Sequence, residues 1–148
     1  MAFRFTLEPV LRYRQSVEEA EECRLRELLS RVANCRAQIQ RLSSEKTSLQ
    51  HAIADTLEHL PLCAAELQFR AAELHRLEGV TTRLRSQLDQ LLSEVARQSE
   101  RYQAERQKRE ILESLRDSQL REFSERQRRR EQAKLDELHL LRRGRNWA

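Results

Sequence analysis

Apolar residues recur along the first third of the chain at alternating steps of three and four residues. From Leu25 onward, two heptad core positions are filled by Leu25, Val32, Ile39, Lys46, Ile53 and Leu60, and by Leu28, Cys35, Leu42, Leu49 and Thr56. Such a repeat over four or more heptads predicts a coiled coil. Upstream, the apolar residues Val10, Tyr13, Val17 and Ala20 predict a seam that has slipped by one residue. The pattern predicts a first helix over about 7–59.

The same repeat continues in the second half of the chain. Its two core positions are filled by Leu67, Leu74, Thr81, Leu88, Val95 and Tyr102, and by Leu77, Leu84, Leu91, Gln98, Glu105 and Leu112. These heptads predict a second helix over about 65–142. It is the longer of the two helices.

The turn between the two helices is predicted at Leu60-Pro61, with the apex over about 60–64. Proline lacks a backbone donor and disfavours helix at the residue before it, but it fits the first turn of a new helix. Gly79 is the competing turn. A single glycine between helix formers costs only about 1 kcal/mol, so we prefer Pro61.

The two heptad runs can be aligned as an antiparallel hairpin. The best register places Leu49 opposite Leu74 and Cys35 opposite Leu88. Near the termini, the same register places like charges opposite each other, Glu18 opposite Glu105 and Arg14 opposite Arg109. Like charges across a seam repel each other. We therefore expect the helices to splay, slip or await a partner there.

The fold class that follows is all-α. We predict one domain over 1–148, an antiparallel two-helix coiled-coil hairpin whose longer second helix overhangs at the C-terminus over about 119–148. The overhang is either a solvated single helix or an element that binding orders. A free monomeric hairpin is expected.

Composition narrows the possible classes of protein. Ala, Glu, Lys, Leu and Arg make up more than half of the chain, whereas there are only 2 Gly and 2 Pro. This composition is typical of long helices and excludes a β-sandwich or an α/β enzyme. The apolar runs are too short for a membrane span or a signal peptide, so we expect a cytoplasmic location and no direct membrane insertion.

Candidate catalytic and metal-binding chemistry is sparse. The four His residues are scattered, and the three Cys residues form no C-x-x-C pair and suggest reduced thiols. Two glycines cannot build a phosphate-binding loop. We predict no enzyme activity, no cofactor and no metal. Lys46 at a core position is interpreted as a device that specifies register, and Phe69 either packs on the first helix or is an exposed anchor.

Charge is unevenly distributed. The formal net charge is +4, and the stretch from Gln119 onward carries the whole excess, including Arg126-Gln127-Arg128-Arg129-Arg130. A basic helical nucleic-acid-binding protein is one alternative function. Nucleic-acid binding is disfavoured because acidic residues interleave the basic run, at Glu122, Glu125 and Glu131, and because the chain has few aromatic residues. The same features favour a solvated face or an acidic protein partner. A generic homo-oligomeric scaffold is the other alternative.

Each end of the chain carries a motif. The two motifs read Phe3-x-Phe5-x-Leu7-x-x-Val10-Leu11-x-x-Arg14 and Arg130-Glu131-Gln132-x-x-Leu135-Asp136-Glu137-x-x-Leu140-x-Arg142. Both resemble motifs of the flagellar export protein FliJ family. The resemblance covers essentially the whole chain. Members of the family are small antiparallel coiled coils of the flagellar type III export apparatus, and they resemble the central stalk of rotary ATPases.

The resemblance implies partners and a location. A FliJ-like chain inserts into the hexameric export ATPase, promotes its activity and engages the export gate membrane protein, and it escorts export chaperones. It would lie at the cytoplasmic face of the inner membrane. The resemblance implies ATPase contacts at the end that carries the termini, through Phe3, Phe5, Leu7, Val10, Leu11, Arg14, Leu135, Leu138 and Arg142. The gate-binding surface of the family lies toward the hairpin tip, but this sequence lacks the tyrosines found there, so no residue is carried over. By position alone we assign the gate-binding region to Leu42, Leu49 and Phe69. In an alternative interpretation, Phe3 and Phe5 do not contact the ATPase and only cap the end of the hairpin.

Overall fold

The computed structural model describes residues 2–59 and 63–147, which form two long helices packed against each other. Helix α1 is Glu8–Glu58 and helix α2 is Ala64–Arg145. The predicted all-α helical hairpin is confirmed. The predicted apex residues Leu60 and Pro61 lie outside the described residues. Gly79 lies inside α2, so the chain does not turn at the competing position.

The helix ends follow local sequence signals. Helix α1 starts after a turn in which the Glu8 backbone N–H donates to the Phe5 carbonyl at 3.2 Å, and Pro9 fits the first helical turn. The acidic side chains in the first turns, Glu8 and Glu66, complement the helix dipoles. Three arginines in the last turn of α2 complement its negative end.

The chain divides into two compact units. The mid-chain unit is Ala20–Tyr102, and the terminal unit combines the described residues up to Glu19 with those from Gln103 onward. In the mid-chain unit the buried apolar side chains are Val32, Cys35 and Leu77. All three occupy heptad core positions, so hydrophobic burial along the seam holds this unit together.

Contacts between the helices of the mid-chain unit define the register. The Cys35 thiol donates to the Leu84 carbonyl at 3.4 Å, one turn from the predicted partner Leu88. The Lys46 ammonium lies 3.2 Å from Glu78, so this core-position lysine forms an ion pair with the facing helix. The helices of this unit are antiparallel, and the predicted register agrees with the structure to within one turn.

Two polar residues of α2 fasten the mid-chain unit at opposite ends. Gln98 is buried, and its amide donates to the Glu21 carbonyl at 3.1 Å. Arg70 donates to the Ala52 carbonyl at 2.7 Å and also hydrogen-bonds Thr56. Both side chains reach across to α1 from seam positions, so the pairing of the helices depends on polar contacts as well as on apolar burial.

Candidate functional site

The site predicted at the termini lies in the terminal unit. Leu11 is the most deeply buried residue there, with 1% of its surface exposed, and Phe5 is also buried. Leu7 and Val10 are exposed on the same stretch of chain. Burial therefore leaves Leu7 and Val10, rather than Phe5 and Leu11, within reach of a partner.

The seam of the terminal unit does not slip, so that prediction is wrong. Val10 and Tyr13 are exposed, whereas Arg14 and Glu18, one residue further along, are half-buried with Leu11. The inward positions keep the spacing of three and four residues that they have in the mid-chain unit. Charged side chains occupy these seam positions because they find charged partners on the other helix.

The expected repulsion between like charges at this end is also absent. Glu18 accepts a hydrogen bond from the Arg109 guanidinium, and Arg14 lies 3.6 Å from the Glu105 carboxylate. Each arginine therefore meets the glutamate one turn away instead of the like charge directly opposite. Diagonal pairing explains why helices with charged seam residues remain packed in register.

Arg109 is the centre of this network. Besides Glu18, it donates to Glu113 of its own helix at 2.6 Å. The hydrogen bond that Arg109 donates to Glu18, and then the one that it donates to Glu113, raise the pKa of its guanidinium, while burial opposes them. One Glu105 carboxylate oxygen is buried without a hydrogen-bond partner. The network thus stabilises this end but is not fully satisfied.

The pairing of the N-terminal segment reaches further along α2 than expected. The Phe3 and Phe123 rings lie 5.7 Å apart between centroids, with an interplanar angle of 52°. This tilted contact is a favourable aromatic geometry. It means that the sequence before α1 still packs on α2 beyond position 119.

Beyond the aromatic contact, α2 continues as an exposed helix. All residues from Arg128 to Trp147 are exposed, a segment that we call the tail. The tail contains Arg142, and its exposed large apolar residues are Leu135, Leu138, Leu140, Leu141 and Trp147. The overhang is helical and exposed here, and both interpretations of it, a solvated single helix and an element that binding orders, stay predictions. Trp147 was not among the residues predicted to bind a partner, although a tryptophan that follows a basic run could have indicated a contact residue.

The three residues predicted to bind the gate lie in the mid-chain unit. Leu42 and Leu49 are half-buried at seam positions, so only part of each side chain is accessible. Phe69 is 73% exposed, so it does not pack against the first helix and remains available as an anchor. The structure describes no contact that joins these three residues into one site.

Within 2–59 and 63–147, no group of three or more His, Cys, Asp or Glu side chains could hold a metal ion. The same part of the chain contains no helix with the length and apolarity needed to cross a membrane.

Comparison with known proteins gives the family. The family model described as flagellar FliJ protein matches residues 3–146, which is nearly the whole chain. No curated protein and no solved structure matches the chain. Members of the matched family are components of flagellar protein export. The chain therefore belongs to the flagellar FliJ protein family.

Proposed function

We propose that this chain is a non-enzymatic component of the flagellar type III export apparatus that acts on the export ATPase. In this proposal its termini enter the hexameric ATPase, promote ATP hydrolysis and couple the ATPase to the export gate. Family membership supports the setting. The tail supports the mode of action, because a helix with four exposed leucines and a basic end needs a partner to cover its apolar surface.

The proposed ATPase-binding surface comprises the accessible part of the predicted residues. These are Leu7, Val10, Leu135, Leu138 and Arg142, all of which are exposed. Phe3, Phe5, Leu11 and Arg14 have a different part in the proposal, since they are buried or half-buried. They shape the terminal unit and keep the exposed residues in place.

We further propose that the gate membrane protein binds the mid-chain unit around Phe69. An exposed aromatic ring provides a large contact area at low cost in conformational entropy. Leu42 and Leu49 contribute through the half of each side chain that the seam leaves accessible. Export chaperones are a third class of partner. In this proposal the chain is cytoplasmic and, through the export apparatus, peripheral at the cytoplasmic face of the inner membrane. When it is free, we expect a monomeric hairpin.

The test is ATP hydrolysis by the purified cognate export ATPase with and without the full chain. We expect stimulation by the wild type and reduced stimulation by L138S. The matched control is L57S, because Leu57 and Leu138 are 55% and 56% exposed and Leu57 lies outside the terminal unit. Equal folding of both variants is checked by circular dichroism.

Several outcomes would count against this function. If the wild type neither changes the hydrolysis rate nor co-purifies with the ATPase or the gate, the coupling role is wrong. If L57S lowers stimulation as much as L138S, the tail is not the contact surface, because the loss would then follow from any exposed leucine.

A further inference from the structure

One side of the terminal unit lacks charge in a chain in which 35% of the residues are charged. The seam positions of this unit include Leu11, Arg14, Glu18, Glu105, Arg109, Leu112 and Arg116. The residues one position before each of these seam positions are mostly apolar or small. Ser118, which lies seven residues after Ile111 on the same side of α2, is added to them. They are Val10, Tyr13, Val17, Ala104, Lys108, Ile111, Leu115 and Ser118, and we call this set the apolar flank.

The other side of the same helices is different. The residues that come one position after the seam positions form the charged flank. They are Arg12, Gln15, Glu19, Arg106, Glu110, Glu113 and Asp117. On the apolar flank the one charge is Lys108, and its ammonium is paired with Glu105 at 3.0 Å. If solubility were the only demand on this surface, both flanks would carry charge. The difference therefore indicates that the apolar flank is an interaction surface.

The two halves of the apolar flank lie side by side. The two helices of the terminal unit are antiparallel, since Phe3 meets Phe123 while Glu18 meets Arg109. Residues that precede the seam positions lie on one side of each helix, and in an antiparallel pair these two sides coincide. Val10, Tyr13 and Val17 of α1 therefore adjoin Ile111 and Leu115 of α2 along one groove.

The apolar flank is exposed, apart from the half-buried Val17. Tyr13 and Ile111 are 63% and 68% exposed, and Leu115 and Val10 are also exposed. Small side chains separate these large ones, with Ser16 on α1 and Ala104, Ser114 and Ser118 on α2. Large apolar residues spaced by small ones form ridges and grooves of the kind into which another helix packs.

The size of the apolar flank decides what can occupy it. From Ala104 to Ser118 it extends for about 20 Å at 1.5 Å per residue, and it is about one helix diameter, or 10 Å, wide. An area on the order of 200–300 Å² is well below the roughly 800 Å² per partner of a stable dimer. Two copies of this chain that met only through their apolar flanks would therefore not form a stable dimer. A single helix of about four turns matches the length and width of the flank.

We propose that the apolar flank is the docking site for one amphipathic helix of another protein, which completes a three-helix bundle with the terminal unit. The docked face of that helix is apolar at positions i, i+3 or i+4, and i+7, and it lacks charge, because the flank offers no charged group apart from the paired Lys108. This inference rests on the proposed function, because Val10 belongs both to the proposed ATPase-binding surface and to the apolar flank. It adds that the partner presents an amphipathic helix.

Photo-crosslinking tests the proposal in the full chain in its own cell. Benzoylphenylalanine is placed at Tyr13, and at Gln103 as the control, because Gln103 is exposed on the charged side of the same unit. We expect adducts from position 13 that map to one helical segment with the stated apolar spacing. Adducts to a second copy of the chain, equal adducts from position 103, or no adduct would overturn the proposal.

A variant pair gives an independent measurement. We expect I111E to lower the yield of the position-13 adduct at least tenfold, and Q103E, which adds the same charge, to leave it unchanged. Both side chains are exposed, so melting curves of the two variants should match the wild type. An unchanged yield with I111E would overturn the proposal. If the chain does not stimulate ATP hydrolysis but position 13 still crosslinks to a helical segment, the proposed function is refuted. The docking proposal would then stand.

Discussion

Arg109 of α2 hydrogen-bonds Glu18 of α1, so a charged pair occupies the seam where an apolar pair would be expected. The side chains of Arg109 and Glu18 are only 20% and 13% exposed, and Glu113 is the second partner of the arginine. Replacing Arg109 therefore leaves two acidic groups of a partly dehydrated site without a cation. Arg109 is thus one of the residues that join the two helices of the terminal unit.

We expect R109M to lower the free energy of unfolding by about 1–3 kcal/mol, because the partners of the removed guanidinium lose their hydrogen bonds in a partly dehydrated site. Thermal melting followed by circular dichroism measures the loss. Hydrogen exchange should show faster exchange of the backbone amides in residues 8–19 than in the mid-chain unit. The double variant E18R/R109E restores the pair and should recover part of the stability. No recovery would show that the pair itself is unimportant.

A second prediction concerns Gln98, the buried polar residue of the mid-chain unit. Q98L replaces an amide with an apolar side chain at a seam position, while the Glu21 carboxylate keeps Arg24 at 2.8 Å. We expect the melting temperature to rise, since a leucine adds apolar burial. We also expect more self-association, because buried polar residues specify the number of paired helices. Analytical ultracentrifugation tests this, and a lower melting temperature would contradict it.

Arg70 supports the third prediction. It donates to the Ala52 carbonyl and to Thr56 from α2, and it pairs with Glu66 of its own helix at 2.7 Å. We expect R70A to destabilise this end of the mid-chain unit by about 1 kcal/mol. Hydrogen exchange should quicken around residues 52–56 and remain unchanged in residues 8–19. Equal changes in both regions would mean that Arg70 acts on the whole chain.

The fourth prediction separates stability from function in the tail. Because the residues from Arg128 to Trp147 are all exposed, removing residues 128–148 should change the free energy of unfolding of the remaining helices by less than about 0.5 kcal/mol. ATPase stimulation should fall strongly in the same variant. The same assay with I111E tests whether the apolar flank contributes. A large loss of stability on truncation would show that the tail packs on the rest of the chain.

The sequence alone was sufficient to predict the two helices and the side on which they meet. The heptads around Val32, Cys35 and Leu77 carry that information, because burying leucine-sized side chains at a spacing of three and four residues leaves one arrangement with a continuous seam. Helix ends were also predictable to within a few residues, since Pro9, Glu8 and Glu66 act through local backbone chemistry.

The charged end could not be predicted in this way. A hydrophobic pattern assigns Val10 and Tyr13 to the seam, because it counts only apolar residues, and it treats Arg14 and Glu18 as defects. Whether a charge can lie in a seam depends on the position of its counter-charge, and that position is set by the other helix. Only the tertiary structure, in which Arg109 reaches Glu18 diagonally, decided that the seam continues in phase and that Val10, Tyr13 and Ile111 remain exposed.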